Sequence, residues 1–281
     1  MSFRAAIAQI DSRVGNVEYN LQHHLEYIDR AKREGAQLVL FPELSLTGYT
    51  LRDLAWETSV DVHQAGTFEA LKEQSKSISI VVGFVESGSD HGIYNAAMLL
   101  EDGQIKHIHR KIYPPTYGMF EEGRYFSPGQ EVRAFDSKFG KFGIIICEDS
   151  WHPALPYLLA VDGAQLLFSL TASPTRISGE GAELDNAKLN HEHQRVYARL
   201  LSLYILFSNR VGFEDGVNFW GGSLVVDPFG HAIKQAQLFK EDLIVADIDI
   251  NEVQRARRFS RHFLDEKVEI ITKNLQRISQ S

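Results

Sequence analysis

The chain has 281 residues, with 29 Lys and Arg against 37 Asp and Glu and a net charge of −8. Hydrophobic residues make up 44% and charged residues 23%, which excludes a disordered chain and leaves ample apolar material for a core without disulfides. The acidic balance, relieved only by the short Arg255–Arg258 stretch, argues against a surface that tracks nucleic-acid phosphates.

In chain order, the opening MSFRAAIAQIDSRVG shows no signal-peptide pattern and reads as a first core strand, Phe3–Ile10. Val17, Leu21, Leu25, Ile28 and Ala31 then step along one face of a helix, with Asn16 as N-cap and Gly35 as stop. A strand-like run follows at Gln37–Phe41, a helix within Gln64–Lys76, and strands at Ile78–Val85 and Tyr94–Leu100. Asp102-Gly103 marks a tight hairpin, after which a further strand leads to Lys111. Apolar runs recur at Phe142–Ile146, Gln165–Leu170, Tyr204–Ser208, Gly222–Val226 and Leu243–Ile250. Helical patterns cover Ala154–Val161 and Ala182–Leu201, and Asp227–Gly230 reads as a turn. Strands mixed with hairpins and helical crossovers predict an α/β chain with a mixed sheet system covered by helices. The uninterrupted alternation favours one domain over residues 1–281, with Arg255–Ser281 as a C-terminal arm or terminal helix. The apolar run Leu200–Phe207 falls far short of the roughly 20 residues that span a bilayer, so no membrane partner is expected. A single cysteine excludes an internal disulfide and fits a cytoplasmic enzyme.

Three reactive side chains fall at the ends of predicted strands: Glu43 after QLVLFP, Lys111 after the hairpin strand, and Cys147 after FGIII. Ligand crevices of open α/β sheets form at such strand ends. A thiolate attacks a carbonyl or nitrile carbon, a carboxylate takes the thiol proton, and an ammonium stabilises the resulting anions. Taken singly, each residue also reads as a buried thiol, a turn carboxylate or an exposed charge.

Three longer stretches carry a resemblance: FPELSLTGY (Phe41–Tyr49), HRKIYPPTYGMFEEGRYFSPG (His109–Gly129) and GIIICEDSW (Gly143–Trp151). They are similar, in this order, to the signature blocks of the nitrilase, or carbon–nitrogen hydrolase, superfamily. Weaker likeness, in AQIDSRVGNVEYN, in GFVESGSDHGIYNAAMLLEDG and in NRVG with WGGSLVVDPFG, extends it from Ile7 to about Ile250. The resemblance implies a four-layer αββα sandwich with Cys147 on a sharp strand-to-helix turn. It implies Glu43 as general base, Cys147 as the nucleophile that forms a thioester, and Lys111 with the Glu148 backbone N–H as oxyanion partners. A second carboxylate that positions substrate and lysine aligns with Glu122, and Glu121 stands as the neighbouring candidate. Lys111 and the N-terminus of the following helix are expected to favour a thiolate near neutral pH.

Within the superfamily, PTYGMFEEGRYFSPG and CEDSW look most like the glutaminase domain of glutamine-dependent NAD synthetases. That likeness implies an amide pocket lined by Tyr49, Tyr117, Phe120, Glu148 and Ser173, with Glu148 available to an α-ammonium. These 281 residues contain no SGGxDS loop of the kind the ATP-binding domain of those synthetases carries, and NFWGGS (Asn218–Ser223) looks more like free-standing amidases. The reading is a cofactor-free thiol amidohydrolase for a small linear carboxamide, working as a homodimer or higher oligomer. Alternatives are a glutaminase subunit that supplies ammonia to a separate synthetase, a nitrile or carbamoyl-amide hydrolase, and an inactive scaffold protein. No metal is expected. His191 and His193 point to different sides of a helix, and His107 and His109 share a strand face without an evident third ligand. The Trp and Phe content reads as core rather than as a stacking platform for nucleic acid.

Overall fold

The computed structural model describes residues 1–63, 66–175 and 185–280. Strand β1 (Ser2–Gln9) leads into helix α1 (Val17–Arg33), and β2 (Leu38–Leu40) follows. Short helices α2 (Leu54–Glu57) and α3 (Glu69–Ser75) precede β3 (Ser79–Ser87), β4 (Ile93–Glu101) and β5 (Gln104–Arg110). The second half runs through β6 (Phe135–Ser137), β7 (Gly140–Ile146), α4 (Ala154–Val161), β8 (Leu166–Thr171), α5 (Asp185–Leu201) and β9 (Tyr204–Asn209). A ribbon of β10 (Val211–Glu214) and β11 (Val217–Trp220) comes next, then β12 (Leu224–Val226), β13 (Ala232–Gln235) and β14 (Asp242–Asp249). Helices α6 (Asn251–Phe259) and α7 (Val268–Ser279) complete the order.

Local chemistry sets these boundaries. The Tyr19 N–H donates to Asn16 Oδ1 at 3.1 Å, which caps α1, and Gly35 ends the helix in the left-handed conformation, with φ +76°. Asp102 (φ +54°) and Gly103 (φ +77°) both take the left-handed conformation that a two-residue hairpin between β4 and β5 requires.

The strands form two six-stranded sheets with the same internal plan. In the first, in the order β14-β1-β2-β3-β4-β5, β1, β2 and β3 run parallel and are flanked by antiparallel partners. In the second, ordered β13-β12-β9-β8-β7-β6, the parallel trio is β7, β8 and β9. Alternation along each strand separates the layers. Ala5, Ile7, Leu38 and Leu40 of the first sheet share one apolar cluster with Phe142, Ile144, Leu166 and Phe168 of the second. Ala6, Ala8, Val39 and Phe41 face the other way, against Tyr27, Ile28 and Ala31 of α1. Ile145, Leu167 and Ile205 likewise pack under Leu159 of α4 and Ala198 of α5. The result is the four-layer αββα sandwich expected.

Some boundaries differ from expectation. The run Gly222–Val226 becomes strand only at Leu224, because Gly221 and Gly222 adopt φ values of +71° and +62°. The helix within Gln64–Lys76 begins as a 3₁₀ turn at Gly66 and is α-helical over Glu69–Ser75, while Gln64 and Ala65 lie outside the described residues. The helix expected from Ala182 is described from Asp185. The C-terminal stretch consists of the two helices α6 and α7. No described helix is long and apolar enough to cross a membrane.

Candidate active site

Glu43, Lys111 and Cys147 each follow the C-terminal end of a strand: β2, β5 and β7 respectively. Sequence separations of tens of residues vanish because the two sheets face each other with these ends on one side. Backbone strain marks two of the positions. Cys147 has φ +46°, and Leu44, directly after Glu43, has φ +48°; a non-glycine residue in this region costs about 1–3 kcal/mol and persists only where its surroundings over-determine it. Gly83 on β3 makes room for the Glu43 turn, since a Cβ there would lie 2.5 Å from the Leu44 nitrogen and 2.6 Å from the Pro42 oxygen.

The Lys111 ammonium is buried between two carboxylates. It donates to Glu43 Oε1 at 2.7 Å and to Glu122 Oε1 and Oε2 at 2.7 and 2.8 Å. Asn95 Nδ2 donates to the same pair, at 2.8 Å to Glu43 Oε1 and at 3.3 Å to Glu122 Oε2. The Ala172 N–H donates to Glu43 Oε2 at 2.8 Å and also faces the Cys147 sulfur. Tyr49 OH donates to Glu122 Oε1 at 2.6 Å. The two neighbouring acids lie in different surroundings. Glu122 is buried on Lys111, whereas Glu121 is exposed and pairs with Arg124 at 3.1 Å.

Asp149 joins the cysteine turn to the lysine segment. Its fully buried carboxylate accepts from Ile146 N at 3.0 Å, from Ile112 N at 3.0 Å and Tyr113 N at 3.1 Å, and from His109 Nε2 at 3.0 Å. One side chain therefore sets the spacing between the residue before Cys147 and those after Lys111. His109 is committed to this pair, and His107 stacks on Phe135 at 4.2 Å. His191 bonds the Gly222 carbonyl at 2.7 Å, and His193 packs edge-on to Trp151. Among the described residues, no cluster of three or more metal-ligating side chains occurs.

Charge states follow from burial. Desolvation favours neutral lysine, yet the facing Glu122 and Glu43 carboxylates win and hold the Lys111 ammonium well above its usual pKa. Burial raises the Glu122 carboxyl, with Lys111 opposing. Burial first, and then Glu122, push the Tyr49 phenol well up, so it stays a donor. The expected thiolate is corrected here. Burial and then the Glu43 carboxylate drive the Cys147 thiol well above its usual value, and Lys111 opposes them only in part. The following helix offers little help: it is a five-residue 3₁₀ turn, Cys147–Trp151, with the acids Glu148 and Asp149 in its first turn.

The expected pocket residues divide. Tyr49, Phe120 and Glu122 line one cavity of about 80 Å³. Tyr117 OH donates to Glu148 Oε2 at 2.9 Å, and the Tyr117 ring meets Phe120 edge-on at 5.6 Å. Ser173 is buried beside Ala172, its N–H donating to Asn209 Oδ1 at 2.8 Å. Sequence reasoning missed Asn95, Asp149 and the Ala172 amide. A polar Asn inside the apolar run Tyr94–Leu100 was the only available signal for the first; Ala172 carries none, because its contribution is backbone.

Two mixed sheets packed face to face under helices, with strand ends converging on a thiol, a lysine and two carboxylates, define a nitrilase-type α/β sandwich. The chain belongs to the carbon–nitrogen hydrolase family, whose model matches residues 4–258. It is 33% identical over 253 residues to a glutamine-dependent NAD(+) synthetase of Acinetobacter baylyi and 34% identical over 253 residues to that of Thermotoga maritima. Each match covers 89% of this chain but only 45% and 42% of those relatives, so the chain spans less than half their length. A glutamine-dependent NAD+ synthetase structure from Acinetobacter baumannii superposes with a TM-score of 0.79 at 32% identity, over 90% of this chain and 47% of that one. A carbon–nitrogen hydrolase from Helicobacter pylori shares the fold over 98% of both chains, with a TM-score of 0.85 at 24% identity.

Proposed function

We propose that this protein is a thiol amidohydrolase that cleaves the C–N bond of a small linear carboxamide and releases ammonia through a thioester on Cys147. The observation that carries the reading is a buried ammonium, Lys111 Nζ, held within 2.7 Å of both Glu43 and Glu122 beside a strained cysteine. Because the resting thiol is neutral, a base is needed at the moment of attack. Glu43 takes the thiol proton as Sγ adds to the amide carbon. Lys111 and the Glu148 N–H stabilise the oxyanion, while Glu122 orients the ammonium. Glu43 then protonates the leaving nitrogen, the C–N bond breaks, and ammonia departs. Water attacks the thioester, Glu43 takes its proton, and acid and free thiol result. Ammonia release screened over glutamine, asparagine, other ω-amides, carbamoyl amines and nitriles tests the reading. Mass spectrometry should find the acyl adduct on Cys147, and Cys147→Ala should release no ammonia; activity persisting in that variant would refute the mechanism.

A second reading, a glutaminase that passes ammonia to a separate synthetase, is favoured by the identity to glutamine-dependent NAD(+) synthetases over 89% of this chain. Glu148, half-buried and bonded to Tyr117, then receives the α-ammonium of glutamine. Weak activity alone that rises when an ATP-dependent partner is added would support it. The same proposal takes residues 1–281 as one cytoplasmic domain, with 255–281 as an arm over a neighbouring copy. Exposed Trp151, Leu158, Leu189, Val196 and Leu200 on the α4–α5 side support a homodimer or higher oligomer. Light scattering that finds only a 31.8 kDa species at micromolar concentration would refute this.

A further inference from the structure

The β10–β11 ribbon belongs to neither large sheet, yet Glu214 on it and Arg210 just before it form a buried charge pair that the proposed chemistry does not use. Arg210, at 1% exposure, binds Glu214 through Nη1, while its Nη2 donates at 3.1 Å to Asp11 Oδ1 and to the Ser12 carbonyl. Its guanidinium also lies 4.4 Å from the Phe219 ring centroid, and Phe219 meets Tyr49 edge-on at 5.9 Å. A buried ion pair of this kind is costly unless its remaining hydrogen-bonding capacity is used. The unused capacity of Glu214 goes to one place. Its carboxylate accepts from Tyr49 N at 3.0–3.1 Å, from Thr50 N at 2.8 Å and from Thr50 Oγ1 at 2.6 Å. The side chain of that same Tyr49 ends on Glu122 at 2.6 Å.

We propose that Glu214, anchored by Arg210, is a positioning residue that fixes the Tyr49 backbone so that the Tyr49 hydroxyl holds Glu122 against Lys111. The chain of contacts runs from the ribbon after β9 to the loop after β2, 165 residues away in sequence. A tyrosine hydroxyl reaches a buried carboxylate at 2.6 Å only if its backbone is held to a fraction of an ångström. The thrice-bonded carboxylate supplies that constraint where the loop itself, beyond the strained Leu44, has no regular structure.

This inference rests on the amidohydrolase reading, and its test keeps the two apart. Glu214→Gln retains volume but presents an amide N–H where a backbone N–H must be accepted. It should lower kcat by roughly 10–100-fold with little change in KM, the size of effect expected when a distant change misplaces reacting groups by about an ångström. In a Tyr49→Phe background, the same substitution should cost less than twofold more, because the route through the hydroxyl is already cut. Thr50→Val, which removes only the hydroxyl contact, provides a milder variant if Glu214→Gln does not fold, and should lower kcat several-fold. Multiplicative losses in the double variant, or a lowered Tm with wild-type kcat, would overturn the proposal. Should the wild type hydrolyse no amide, the amidohydrolase reading fails by itself. The positioning role is then read from the rate of iodoacetamide alkylation of Cys147, which should fall in Glu214→Gln and not fall further in the double variant. An unchanged alkylation rate would overturn it.

Discussion

Lys111→Met separates what the central ammonium does for folding from what it does for turnover. The substitution leaves Glu43 and Glu122 facing each other, both buried, with no cation between them. Each carboxylate keeps two other donors: Asn95 and the Ala172 amide for Glu43, Tyr49 and Asn95 for Glu122. Removing one member of a buried ion pair costs about 3–5 kcal/mol, and these surviving donors put the expected loss near the lower end, about 3 kcal/mol at pH 8. The loss should depend on pH in a definite direction. With the cation gone, one carboxyl has a native pKa raised above its unfolded value of about 4.3. Its stabilisation is present below the unfolded value and disappears as pH rises through the native one, so the deficit against wild type should shrink toward pH 5. Urea unfolding at intervals from pH 5 to pH 8 measures it. Adding Glu122→Gln removes one of the two facing charges and should restore at least about 1 kcal/mol, half or less of what was lost. Turnover should not follow, because in the role proposed for Lys111 its loss removes an oxyanion donor, at about 3–4 kcal/mol in the transition state whatever the stability. A deficit constant across this pH range, together with a double variant no more stable than Lys111→Met, would refute the assignment of Lys111 as the counter-charge of both acids.

Alkylation of Cys147 by iodoacetamide should keep rising with pH beyond the usual thiol range, because burial and Glu43 hold the proton on sulfur; a plateau reached near neutral pH would contradict that charge state. Gly83→Ala should lower kcat without abolishing folding, since its Cβ would press on the backbone at Leu44 and Pro42 and displace Glu43; wild-type kinetics would show that the turn yields freely. His24, buried in α1 between the Asn20 carbonyl and Ser45 Oγ, has its pKa lowered to about 3 by burial. The unfolded chain binds this proton near pH 6.5 and the native state does not, so His24 by itself should take away about 1.4 kcal/mol per pH unit below that value, and the stability slope of a His24→Gln variant should be shallower than that of the wild type by this amount.

The outline of the site was legible in the sequence because it rests on local rules. Apolar runs end at Phe41 and at Ile146, and the strand that follows the Asp102-Gly103 hairpin ends at Arg110, so strand ends at Glu43, Lys111 and Cys147 follow from the pattern alone. The four steps of the α1 face, the Asn16 cap and the Asp102-Gly103 turn are equally local, involving residues within a few positions of one another. The motif blocks added the order of the reactive residues and aligned the second acid with Glu122, with Glu121 beside it as the other candidate.

What only the tertiary structure decided lies between segments distant in the chain. Glu43 meets the Ala172 amide 129 residues away, Asp149 gathers donors from both sheets, and Glu214 takes up the Tyr49 amide. No periodicity records such pairings, because a side-chain pattern specifies which face is apolar and not which remote backbone group will lie opposite it. The charge state of Cys147 belongs with them. Sequence places a lysine and a helix start near the thiol, which favours the anion. Folding packs the thiol against the apolar core and brings Glu43 close, and together these outweigh both.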